Sequence, residues 1–362
     1  MKEGWELKKL GEVCEYIKQQ GKYDLPYVGM EHITSKTSQY IGENKDIEVL
    51  SNTFKFKKGD ILYGRLRPYL QKVWLATFDG HCSTEIFPIR TKQNFHPSFL
   101  KYWLLSEEVT TLINETCTGA RMPRANMNEV LNFNIPTPSL SEQQRIVEIL
   151  DTAFAKIDTV KQNAERNLQN AKELFQSVLT NSYNNKSDFE YLKYLASIKT
   201  GKLNANAAVE NGIYPFFTCS REVYSIDNYA FDCEALLLAG NNASGDFNVK
   251  HYKGKFNAYQ RTYVITVNTQ KLAYRYLYYR LLLSLGELKR DANGTNTKFI
   301  KLGMIESITI PKISLSQQQQ IVSKLDTLSA KCKELENNYL KTINDCDELK
   351  KAILAKAFNG EL

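Results

Sequence analysis

The chain has 362 residues, of which 43% are apolar, and includes 21 Tyr and 17 Phe, enough for more than one hydrophobic core. Its formal net charge is +7. No apolar run approaches the roughly 18 residues of a membrane span, and the opening MKEGWELKKLGEV has no signal-peptide core. Seven cysteines without a CxxC pair argue against zinc and disulfide frameworks. A reducing cytoplasm, with no membrane partner, is expected.

Residues 1–138 form a first mixed unit. Trp5–Ile17 is a short segment that begins as a strand, and extended runs follow at Leu25–Met30, Ile47–Leu50 and Asp60–Tyr63. An arginine-rich stretch, Tyr63–Lys72, leads to strands at Val73–Thr77 and Ser83–Arg90. Pro97–Asn114 has the spacing of one amphipathic helix, and the polar loop Thr118–Asn126 follows. Asp60, like Asp232 further on, reads as a turn residue. Residues 139–183 read as a long helix, and Asn181–Ser187 as a polar linker. A second unit, 184–313, repeats the order. Its loop Gly240–Asn248 stands in place of the arginine-rich stretch, a helix at Tyr274–Leu285 follows, and Asn293–Lys298 matches the loop at Thr118. Residues 314–362 read as a second long helix.

The two helices open on one motif, IPTPSLSEQQRIVEILD from Ile135 and IPKISLSQQQQIVSKLD from Ile310, offset by 175 residues. Duplication of a whole unit is implied. Pro136 and Pro311 are expected to end the preceding extended segments. Ser141 with Gln144, and Ser316 with Gln319, have capping-box spacing. Apolar residues then recur by fours and threes. The predicted helix-pair interface takes Ile146, Leu150, Ile157, Val160 and Leu174 from the first helix and Ile321, Leu325, Leu328, Leu335 and Leu349 from the second. Each helix should run about 40 residues, roughly 60 Å. The helices carry net −1 (Ser141–Thr180) and 0 (Ser314–Leu362) of the total +7, which leaves +8 on the units before them. That is a modest polyanion footprint.

No P-loop, Gly-rich dinucleotide fingerprint or metal-spaced histidine set is present. The polar loops differ between the two similar frames, which suits two different ligands of one class.

With these paired motifs, the unit–helix–unit–helix order and the ending AKAFNGEL, the chain resembles the specificity subunit of type I restriction–modification systems along its whole length. The resemblance implies an α+β fold: two target recognition domains (1–138 and 184–313) separated and joined by two long antiparallel coiled-coil helices with pseudo-two-fold symmetry. Each domain would read one half of a bipartite double-stranded DNA target, with the helices as a ruler. It implies a non-catalytic chain that binds no cofactor. Two DNA methyltransferase subunits using S-adenosylmethionine would methylate adenine, and restriction subunits using ATP and magnesium would cut. Two other readings stand beside it: a recognition subunit of a type II methylase or nuclease, and a coiled-coil adaptor that does not bind DNA. Arginine suits guanine O6/N7 and asparagine suits adenine N6/N7. Candidate DNA contacts are therefore Arg65, Arg67, Lys72, Arg121 and Arg124 in the first unit, and Asn241, Asn242, Ser244, Gln260, Arg261 and Lys298 in the second.

Overall fold

The computed structural model describes residues 2–42, 49, 51–119, 121–184 and 188–362. It divides into two compact units, residues 1–165 with 341–362, and residues 166–340. Two helices, Leu140–Asn184 and Leu315–Asn359, run for 45 residues each, and each unit contains a segment of both. Of the expected extended run at Ile47–Leu50, only Val49 lies within the described residues. The expected linker is partly helical: residues 181–184 end the first long helix, and 185–187 lie outside the described residues.

In unit one, two four-stranded sheets carry the mixed part. One orders Cys14–Tyr16, Ile86–Thr91, Ile61–Gly64 and Val73–Leu75; the other orders Gln20–Gly21, Thr53–Phe56, Gly80–Cys82 and Tyr27–Val28. In unit two one six-stranded sheet does so, centred on Phe231–Ala239 between Thr262–Val267 and Val249–Ala258. A parallel pair recurs in both, Tyr27–Val28 with His81–Cys82 and Phe216–Phe217 with Asn257–Ala258. The apolar runs of these strands are buried: Ile61, Leu62 and Tyr63 in unit one, Leu236, Leu237 and Leu238 in unit two. Pro136 and Pro311 take part in short two-stranded pairings, opposite Leu7 and Phe189. An edge strand tolerates the missing amide, so Pro136 does not end its segment, which runs on to Thr137, whereas Pro311 is the last residue of its strand, as expected.

The single helix expected over Pro97–Asn114 is two, Pro97–Leu104 and Glu107–Glu115. Ser106 breaks it, since its Oγ accepts from Val109 N–H (3.4 Å) and caps the second helix. Asp60 is no simple turn residue. Its side chain is 2% exposed and takes a bidentate pair from Arg90, Nε to Oδ1 at 2.7 Å and Nη2 to Oδ2 at 2.6 Å. Asp232 sits within a strand opposite Lys255.

The long-helix caps lie two residues before the expected boxes. Ser139 Oγ accepts from Glu142 N–H (3.3 Å). Ser314 Oγ accepts from Gln317 N–H (3.3 Å), while Gln317 Oε1 accepts from Ser314 N–H (3.0 Å), a complete box. The identities in the repeated motif have another cause. Gln143, fully buried, accepts from His96 N–H (2.8 Å) and donates to the Pro138 carbonyl (2.9 Å). Gln318 does the same with Ala273 N–H (2.9 Å) and the Ile313 carbonyl (3.2 Å). Asp151 accepts from the Tyr102 hydroxyl, and Asp326 from that of Tyr279 (2.6 Å). These residues fasten each long helix to the helix of its own unit. Gln143→Ala would leave a buried N–H and a buried carbonyl unpaired, so unit one should lose about 2–4 kcal/mol in chemical denaturation.

Within unit one the long helices run antiparallel, because Lys161 Nζ meets Asp347 (2.6 Å) while Asp158 meets Lys350 Nζ (2.5 Å). Ile146, Leu150, Leu354 and Ala357 share the core of unit one; Leu179, Tyr183, Val322 and Leu325 share that of unit two. Of the predicted interface residues, Ile146, Leu150, Ile157 and Leu325 are buried, and Ile321 and Leu328 are half-buried. Val160 (49% exposed), Leu174 (51%), Leu335 (41%) and Leu349 (50%) lie outside it. The inward column sits one residue later, at Phe154, Lys161, Leu168 and Phe175, and at Val322, Ser329, Glu336, Ile343 and Lys350. A turn of 3.6 residues brings i+3 and i+4 almost equally close to a stripe. Packing chose i+4 even though the apolar residues stand at i+3.

Burial lowers the pKa of His81 and of His96 below the ordinary 6.5. Below about pH 6.5 the unfolded chain binds protons that these folded histidines refuse, so stability rises with pH across that range. The apparent unfolding midpoint should fall between pH 7.5 and 5.5, and less steeply in the His81→Gln, His96→Gln double variant.

Candidate nucleic-acid interface

The arginine-rich stretch and the Thr118 loop, 50 residues apart in sequence, meet in unit one. Leu66 bridges Arg124, Thr118 bridges Arg124, and Ala125 N–H donates to the Arg65 carbonyl (2.9 Å). Unit two builds the same joint 175 residues later. Asn241 pairs with Phe299, Asn293 bridges Phe299, and Ile300 N–H donates to the Gly240 carbonyl (2.9 Å). Gly119 and Gly294 turn both loops at positive φ, +91° and +99°, a conformation that favours glycine. Gly240 has no room for a Cβ, which would lie 2.3 Å from the Arg261 carbonyl. The frame is therefore common to both units, while the side chains on it differ.

In unit one, Arg65 Nε (3.2 Å) and Arg124 Nε (2.9 Å) both donate to Glu85, and the Arg65 guanidinium lies 5.1 Å from the centre of the Phe87 ring. Arg67 and Arg121 are exposed, with no ion pair among the described residues. Arg67 adopts a left-handed backbone (φ +54°) and its N–H donates to the Pro123 carbonyl (2.8 Å). Lys72 differs from these: its ammonium donates inward to the Met30 carbonyl (2.6 Å) and is half-buried. An open groove of about 590 Å³ runs beside Arg65 and Arg124, with Tyr16, Lys18, Gln20 and Asn128 among its walls. Sequence reasoning missed Glu85, because a lone glutamate between two strands carries no signal until the fold brings two arginines to it.

Unit two carries other side chains on this frame. Asn242 Oδ1 accepts from Ser244 N–H (2.9 Å), Ser244 Oγ (2.9 Å) and Asp246 N–H (3.2 Å), which closes a turn. Gln260 Nε2 donates to Asn204 Oδ1 (2.8 Å). Asn241 and Lys298 stand in the joining ladder, the first half-buried and the second partly open. Arg261 is exposed. Arg221, absent from the sequence-based set, forms an exposed pair with Asp246 (2.8 Å) at the rim of the Asn242 turn.

Among the described residues no group of three or more His, Cys, Asp or Glu could hold a metal ion, and no helix is long and apolar enough to cross a membrane.

The profile of the family described as type I restriction modification DNA specificity domain matches residues 2–168 and 183–345. The specificity subunit of the type I restriction enzyme EcoDI from Escherichia coli is 41% identical over 168 residues, 46% of this chain and 37% of that protein. That match spans little more than a third of the relative's length. The StySPI specificity subunit from Salmonella potsdam is 24% identical over 95% of this chain and 80% of its own. In fold, the chain is similar to one from a structural study of complex assembly and conformational transition of the type I R-M system, with a TM-score of 0.83 and 22% identity over 100% of this chain and 99% of that one. It is also similar to the HsdS subunit from Thermoanaerobacter tengcongensis, with a TM-score of 0.59 and 21% identity over 99% and 98%.

Proposed function

The chain belongs to the family of type I restriction–modification DNA specificity domains, the sequence-recognising subunits of such systems, and from that premise we propose that it reads a bipartite duplex target, one half per unit. One observation carries the proposal: the same joint of two loops recurs at a 175-residue offset with Arg65 and Arg124 on one copy and Asn241, Asn242 and Lys298 on the other. Two equal frames with unlike side chains suit two unlike half-sites of one polymer. Under this reading, residues 1–138 and 184–313 are the recognition domains, and 139–183 and 314–362 the spacer helices. The exposed Arg67, Arg121 and Arg261 and the partly open Lys298 contact phosphates or base edges. Asn241, Asn242, Ser244 and Gln260 shape the second reading surface, and Lys72 holds the first in place.

The chain supplies no chemistry of its own in this account. Two DNA methyltransferase subunits carry S-adenosylmethionine and modify adenine, and restriction subunits carry ATP and magnesium. The misplaced apolar column supports a partner of two copies. Val160 and Leu349 are half exposed in unit one, near the two ion pairs that join the helices. Their repeat equivalents in unit two, Leu335 and Leu174, are exposed in the same way. Val160→Glu with Leu349→Glu should leave the helix pair intact and reduce bound methyltransferase from two copies to one in native mass spectrometry.

The direct test is binding of the purified chain, with its methyltransferase partner, to a pool of genomic duplexes across a salt series. Enrichment of one split motif, with affinity falling steeply as salt rises, supports the proposal. The adaptor reading would show no duplex retained at any salt.

A further inference from the structure

The arginines of unit one are not arranged as a general phosphate clamp. Arg65 and Arg124 both direct Nε to the same carboxylate, Glu85, whose side chain is 23% exposed. A carboxylate at this place repels a DNA phosphate, so it weakens sequence-independent attraction while fixing two guanidinium planes. Arg65 is held further by the Phe87 ring. Among the described residues no hydrogen bond engages the Arg65 terminal nitrogens, and Arg124 Nη1 makes one long contact with the Met122 carbonyl at 3.4 Å. A guanidinium anchored through Nε presents two parallel terminal donors, the match for guanine O6 and N7 in the major groove. Tyr16 lines the groove beside them.

We infer that unit one reads guanine through Arg65 and Arg124, and that Glu85 is the positioning residue that aims both. Unit two has no such pair, since the equivalent positions are Gly240 and Phe299. Guanine reading by a paired arginine therefore belongs to one half of the target. This inference rests on the DNA-recognition reading above and adds the base class.

The test uses the full chain with its methyltransferase partner and duplexes carrying every single substitution of the recognised motif. Wild type should lose at least about tenfold in affinity when a G·C pair of the unit-one half is replaced. Glu85→Gln should reduce that discrimination to about threefold or less, with discrimination in the other half unchanged. Arg65→Lys, which keeps the charge but not the fork, should do the same, and Glu85→Asp should restore part of it. The inference is overturned if the unit-one half contains no G·C pair, if both variants keep full discrimination, or if they weaken all sequences equally. Absence of salt-dependent duplex binding by the wild type would instead remove the DNA-recognition reading itself.

Discussion

Replacing Arg67 and Arg121 together by alanine is expected to weaken cognate duplex binding about 30-fold at 0.15 M salt, with the helix pair unchanged. Both side chains are exposed and lie on loops joined by the Arg67 N–H to Pro123 carbonyl bond. Each phosphate contact contributes a slope near −0.9 in log affinity against log salt. Losing two should flatten the slope by about 1.8, which at 0.15 M corresponds to that factor. The measurement is titration of labelled duplex at four or more salt concentrations. An unchanged slope would remove both arginines from the interface, and a loss confined to particular base pairs would reassign them to base reading.

The second large effect concerns stability. Asp60→Ala should cost unit one about 3–5 kcal/mol, since it leaves the Arg90 guanidinium without its bidentate partner and Lys57 N–H without its 2.7 Å acceptor. Against a typical total of about 5–15 kcal/mol, this is enough to populate the unfolded unit. Removing both charges, with Asp60→Leu and Arg90→Met, should recover most of the loss, because the penalty arises from an uncompensated charge. Chemical denaturation of the three proteins decides it; a double variant no better than Asp60→Ala would show that the pair stabilises outright.

The larger organisation was legible because duplication writes itself twice. The 175-residue offset, the mixed units and the long helices all follow from residues that coincide in both copies. The reasons for those coincidences were less visible. Gln144 and Gln319 look like capping partners from spacing alone, whereas the buried Gln143 and Gln318 fasten helix to unit, and the observed caps start at Ser139 and Ser314. The helix seam was displaced by one residue because Val160, Leu174, Leu335 and Leu349 are apolar yet exposed, while Lys161 and Lys350, half-buried, reach across the helix pair to Asp347 and Asp158. Hydrophobic pattern cannot separate a packing residue from an exposed apolar one. In the candidate site, residue type pointed to the arginines, but the joint between their loops and the carboxylate they share are long-range pairings that no local spacing encodes.

The central claim is that two unlike reading surfaces on one chain choose where DNA is modified. Methylation mapping of cells that express this gene, with the wild type, a deletion and the Arg67→Ala, Arg121→Ala variant, tests it most directly. The account predicts one split, asymmetric adenine-methylated motif in the wild type, its loss in the deletion, and reduced occupancy in the variant. A methylation pattern identical in all three would contradict it.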